Sequence, residues 1–135
     1  MAQPIATGSA PPPARRGFTL IELLVVLSII ATLLMIAVPR YFHSLERSKE
    51  AVLRQDQSVL RDAIDKYYAD VAHYPETLAD LVERHYLRSI PVDPQTKSRE
   101  SWVIIMSEDA EVPGVRDVRS GATGLASDGS EFTNW

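Results

Sequence analysis

Arg15-Arg16-Gly17-Phe18-Thr19-Leu20-Ile21-Glu22-Leu23-Leu24-Val25-Val26 sets the architecture of this chain: a basic pair, a glycine and one carboxylate open a run that stays uncharged from Leu23 to Val38. Phe18 to Val38 is 21 residues, which as a helix at ~1.5 Å per residue reaches ~31 Å, the thickness of a bilayer's hydrocarbon core. A carboxylate at the centre of such a span costs about 2.5–3.5 kcal/mol on insertion scales, so Glu22 needs a partner or a purpose. Arg15 and Arg16 immediately before the run hold the N-terminal side in the cytoplasm, which leaves everything after it outside.

A secretory signal peptide also joins a basic pair to an apolar stretch, but it ends in a small-residue cleavage site. Here the far end reads Met35-Ile36-Ala37-Val38-Pro39-Arg40, without Ala-x-Ala. A plain anchor fits the length, yet leaves Glu22 and the proline unexplained. Upstream, residues 1–17 are rich in Ala, Pro and small polar residues and lack a periodicity that could pack, so they read as a leader. The whole chain carries 14 basic and 18 acidic residues; setting aside Arg15 and Arg16 leaves 12 against 18, a charge of −6 that argues against nucleic acid as a partner. With no cysteine among 135 residues, disulfides, thiol chemistry and cysteine-ligated metals are excluded.

Beyond the span, Leu45, Val52, Val59, Ile64, Tyr67 and Val71 recur near a 3.5-residue period with charged residues between them, so the helix is expected to continue from Phe18 to about Ala69 with this stripe as its buried face. Pro39 lies inside it and is expected to kink it, as either a hinge or a static bend. His73-Tyr74-Pro75 breaks the helix. A short helix follows, capped by Thr77 with Asp80 and burying Leu78, Leu81, Val82 and Tyr86. Ile90-Pro91-Val92-Asp93-Pro94 is an extended connector. Trp102–Met106 and Val115–Ser120 are expected strands of a small antiparallel sheet, with the turn between Glu108 and Gly114. Phe132 and Trp135 at the end have no use unless they dock on the sheet or helix. The expected class is α+β, divided into a leader at 1–17, a transmembrane and assembly helix at 18–39, an amphipathic continuation at 40–72 and a globular part at 73–135.

No catalytic constellation is present. His43, His73 and His85 are far apart, and there is neither a phosphate-cradling glycine loop nor a nucleophile elbow, so no enzyme is expected. Arg47, Lys49 and Arg54 against Asp62 and Asp65 form either a solvated helix face or charges that meet between subunits.

The segment from Arg16 to Val26 resembles the leader and N-terminus of type IV pilins and of the pseudopilins of type II secretion. Tyr74-Pro75, the block ending in Pro91-Val92-Asp93-Pro94, Ser120-Gly121, Ser127-Asp128-Gly129 and Asn134-Trp135 resemble the major, G-type pseudopilin. The resemblance implies a pilin-like fold, cleavage by a prepilin peptidase between Gly17 and Phe18, and N-methylation of Phe18. It also implies a single-pass inner-membrane subunit with a periplasmic C-terminal part, which polymerises with its own kind, minor pseudopilins and an inner-membrane assembly platform to drive export across the outer membrane. On a helix Glu22 sits one turn after Phe18, so in a stack of subunits its carboxylate could meet the new N-terminal amine of a neighbour, while Leu20, Leu24, Leu27, Ile30 and Leu34 supply undirected contact. Pro39 is the implied hinge. The family's C-terminal calcium would fall here on Asp128 and Glu131, aided by Ser127, Ser130 and backbone carbonyls toward the six to eight oxygens calcium takes; a turn built on Asp128 and Gly129 is the other reading. A surface type IV pilin and a membrane-tethered periplasmic binding or adaptor protein are the alternatives.

Overall fold

The computed structural model describes residues 1–135. Residues 1–19 form neither helix nor strand. Helix α1 spans Leu20–Val71, 52 residues, and Pro39 lies within it without ending it. The missing proline N–H costs one intrahelical bond, that to the Met35 carbonyl, and the apolar helix formers on its N-terminal side carry the helix through. Compared with expectation, the helix starts and stops two residues later. Ala72, which follows it, has φ of 60°, and its N–H closes the last turn on the Tyr68 carbonyl at 2.8 Å.

The chain divides into two compact units, Met1–Pro39 and Arg40–Trp135. In the first, the helical run from Leu20 to Val38 is exposed throughout. Its hydroxyls are satisfied within the helix, Ser28 donating to the Leu24 carbonyl and Thr32 to the Ser28 carbonyl, each at 2.8 Å. That internal bonding is what a segment without access to water requires.

The second unit has one core, gathered around the C-terminal half of α1. Leu53, Leu60 and Ile64 are fully buried, with Ala63 and Tyr67 beside them, and they meet Leu78, Leu81, Leu87, Trp102, Val115, Val118, Ala122, Ala126 and Phe132. This corrects the first half of the expected buried face: Ile64 and Tyr67 are buried and Val71 packs against the core as expected, but Leu45, Val52 and Val59 point to solvent, and in that part of the helix the packed side chains are Leu53, Gln57 and Leu60, one residue on. Both stripes have helical spacing; Gln57, buried in the true one, interrupts its apolar pattern and made the neighbouring valines the better match.

Helix α2, Leu78–Glu83, buries Leu78 and Leu81 and is capped as expected: the Asp80 carboxylate accepts from the Thr77 N–H at 2.9 Å. Strands β1, Val103–Met106, and β2, Val115–Arg119, pair antiparallel with a bulge at Ile105/Met106. Only β2 buries residues, Val115 and Val118; Val103, Ile104 and Met106 of β1 are exposed despite their apolar character. Gly114 ends the turn with φ of 128°, where an added Cβ would stand 2.7 Å from Tyr74, so only glycine fits. The adjoining Val115 N–H donates to the Pro75 carbonyl at 2.7 Å and ties the sheet to the break after α1.

The connector before β1 is organised by Asp93, which is fully buried. One carboxylate oxygen accepts from the backbone N–H groups of Gln95 at 2.8 Å and Thr96 at 3.3 Å; the other accepts from the Ser120 hydroxyl. Ser120 Oγ in turn accepts from the Ala122 N–H at 3.0 Å, so one side chain joins the connector to the end of β2. Nothing in the sequence patterning singled out this residue.

Candidate functional site

At the start of α1, Gly17 and Phe18 are exposed and lie just outside the helix, with open space around Gly17. Thr19 and Glu22 form a reciprocal cap: the Glu22 N–H donates to Thr19 Oγ1 at 3.2 Å, and the Thr19 N–H donates to the Glu22 carboxylate at 3.4 Å. This arrangement satisfies two orphan donors of the first turn and places the negative charge at the positive end of the helix dipole. Glu22 therefore has a local partner within its own chain, a role the sequence reading missed although Thr-x-x-Glu before an apolar run is a capping-box signature. Leu20, Leu24, Leu27, Ile30 and Leu34 are all exposed. The N-terminal stretch of α1 is long and apolar enough to cross a membrane, and none of it is buried.

A second constellation closes the C-terminal loop. Ser127 and Asp128 occupy a turn in which the Gly129 N–H donates to the Ala126 carbonyl at 3.0 Å, and Gly129 takes φ of 84°. The Asp128 carboxylate accepts from the Ser130 N–H at 2.9 Å, from the Ser130 hydroxyl at 2.5 Å and from Arg54 Nη2 at 3.3 Å. The two Ser130 bonds, then the Arg54 charge, hold its pKa below the usual carboxylate range. Glu50, one turn before Arg54 on α1, accepts from both the N–H and the hydroxyl of Ser127, each at 2.6 Å. The Arg54 guanidinium lies 4.1 Å from the Trp135 ring centroid, and Trp135 packs edge-on against the buried Phe132 at 5.1 Å. The terminal aromatics thus dock on the helix.

Asp128 and Glu131, the residues on which the resemblance places a calcium ion, do not share a ligand cluster. No three acidic or histidine side chains gather where they could hold a metal. Glu131 accepts from the Thr133 hydroxyl at 3.3 Å, and the Arg54 guanidinium lies 3.3 Å from the Asp128 carboxylate. The turn reading is the one observed. Some helix charges are also matched within the chain, Lys49 to Glu46 at 3.0 Å, Lys66 to Asp62 at 2.7 Å and Arg61 to Asp117 at 2.7 Å, whereas Arg47 and Asp65 form no ion pair.

Comparison with known proteins bears on both ends. The sequence profile of the prokaryotic N-terminal methylation motif matches residues 12–38. The chain is 31% identical over 96 residues to type II secretion system core protein G of Klebsiella pneumoniae, covering 59% of this chain and 69% of that one. It is 30% identical over 123 residues to fimbrial protein EcpC of Eikenella corrodens, covering 86% and 78%. The chain belongs to the type IV pilin-like family. Within the family it is similar to the G-type pseudopilins, as a further core protein G, from Escherichia coli, is 33% identical over 96 residues, 59% of this chain and 66% of that protein. The matched stretch thus spans about two thirds of the length of these core proteins G. No solved structure matches significantly. As a pilin-like chain it is a structural subunit rather than an enzyme, with an α+β fold in which a long N-terminal helix contributes to the core beneath a two-stranded sheet.

Proposed function

We propose that this chain is a structural subunit of a type II secretion pseudopilus, anchored in the inner membrane with residues 40–135 in the periplasm. The observation that carries the reading is the uncovered apolar helix from Leu20 to Val38, opened by a capped Glu22 directly after an accessible Gly17–Phe18 bond. Prepilin peptidase cuts that bond and methylates the Phe18 amine, so residues 1–17 are lost and the span stays on the mature protein. In the filament the Glu22 carboxylate exchanges its cap for the N-terminal amine of a neighbouring copy, a directional contact in a low dielectric, while the leucine-rich surface adds undirected packing. The second stripe of α1, Leu45, Val52 and Val59, is exposed at seven-residue intervals and belongs to the same subunit contact. Pro39 is the hinge where the helix loosens on assembly. Minor pseudopilins and an inner-membrane platform complete the assembly that moves proteins across the outer membrane.

A surface type IV pilus subunit is the second reading, favoured by the likeness to the Eikenella fimbrial protein. Mass spectrometry of the membrane-extracted protein is expected to find a mature N-terminus at methylated Phe18. Glu22→Ala is expected to insert in the membrane normally but to cut filament yield at least tenfold, since tenfold corresponds to about 1.4 kcal/mol in one contact. An intact Met1 leader, or cleavage near Pro39, would leave a tethered adaptor instead; full filament yield from Glu22→Ala would remove the pairing. Loss of secretion, with surface fibres unaffected, separates the pseudopilus from the pilus.

A further inference from the structure

The loop from Gly124 to Trp135 must be held to the rest of the fold without a disulfide, and its small hydrophobic payload is Ala126 and Phe132. A divalent cation would need six to eight oxygens there. Many of the loop's oxygens are already engaged. The carbonyls of Gly124, Ala126, Ser130, Glu131 and Phe132 accept from the backbone N–H groups of Phe132, Gly129, Ala126, Asn134 and Trp135, at 2.7–3.2 Å. Ser127 is taken by Glu50, and Ser130 by Asp128 and by the Trp135 indole, whose Nε1 donates to Ser130 Oγ at 2.8 Å. The positive charge that meets the Asp128 carboxylate is Arg54, which also lies over the Trp135 ring, while Arg119 reaches the loop only at the Thr133 carbonyl, 3.4 Å away.

We propose that the Arg54 guanidinium substitutes for a divalent cation in this chain, closing the C-terminal loop onto α1 without metal. Guanidinium suits the task because a single planar group can donate to a carboxylate and stack on an aromatic face at once, which a spherical ion cannot do. Glu50 supplies the second attachment one helical turn away, so the loop is gripped at Ser127, Asp128 and Trp135 by two residues of α1 at i and i+4. The consequence is a subunit whose closure is indifferent to calcium concentration and sensitive to the side chain at position 54.

The test uses the full chain in detergent, with hydrogen exchange of residues 124–135 and thermal unfolding recorded in calcium chloride and in EGTA. For the wild type, loop protection and Tm are expected to be the same in both. Arg54→Ala is expected to speed loop exchange in both conditions and to lower Tm by roughly 4–8 °C, the shift for losing a modest contact in a domain of this size. Should that variant fail to fold, Asp128→Asn weakens the same ion pair and is read in the same way. A saturable, EGTA-reversible gain of protection or Tm in the wild type overturns the proposal, as does loop exchange in a folded Arg54→Ala equal to the wild type. Neither readout depends on filament assembly, so failure here leaves the proposed function standing.

Discussion

Replacing Asp93 with alanine withdraws the acceptor from three donors at once: the N–H groups of Gln95 and Thr96 and the hydroxyl of Ser120. Ser120 is 1% exposed and Asp93 not at all, so water does not reach the Ser120 end without opening the fold. A buried donor left unsatisfied costs about 1–3 kcal/mol. The Gln95 and Thr96 bonds are only partly buried and the latter is long, which puts both at the low end. The sum is about 3–5 kcal/mol, a large share of the roughly 5–15 kcal/mol that holds a domain together. Asp93→Asn keeps one oxygen for the two backbone donors, and its amide can donate to Ser120, so only the serine proton must find a new acceptor; about 1–2 kcal/mol is expected. Urea unfolding followed by Trp102 fluorescence reads both variants beside the site, because the Trp102 indole donates to the Pro91 carbonyl at 2.8 Å within the same connector. A loss below 1 kcal/mol for Asp93→Ala, or equal losses for the two substitutions, would refute the claim that hydrogen bonding by this carboxylate organises the connector.

Adjacent positions on α1 separate the two stripes: Leu60→Ala should cost about 2.7–5.0 kcal/mol in urea unfolding, whereas Val59→Ser, at a residue 41% exposed, should stay within about 0.5 kcal/mol while reducing filament yield. Comparable destabilisation by both would put the buried face back where the sequence pattern placed it. Asp56 has its pKa raised, first by burial and then by the charge of Asp93. Its carboxyl thus binds a proton more tightly folded than unfolded, so its contribution is fully present below the unfolded value and lost as pH rises through the folded one. Asp56→Asn should therefore add a few tenths of a kcal/mol at pH 7, a gain that shrinks below about pH 4; a loss at pH 7 would contradict the assigned cause.

The local elements were legible because their signals are local. Sixteen uncharged residues from Leu23 specify an apolar helix wherever they are placed, Thr77 and Asp80 cap α2 through a bond between neighbours in sequence, and the β-branched runs ending at Met106 and Arg119 needed only a turn between them. Which face of α1 is buried was legible at Ile64 and Tyr67 but not before Leu60, since there two stripes one residue apart have the same period and the choice rests on the side chains they meet from the rest of the core.

The candidate sites divide in the same way. The sequence by itself determined the Gly17–Phe18 junction, Glu22 and the exposed span, all functions of a few consecutive residues and of apolar content. Only the tertiary structure decided that Asp93 bonds a serine 27 residues away, and that Arg54 meets Asp128 across 74 residues. Contacts of that separation leave no period or spacing in a single chain, because they are set by where the loop lands on the helix and not by what lies beside it in sequence.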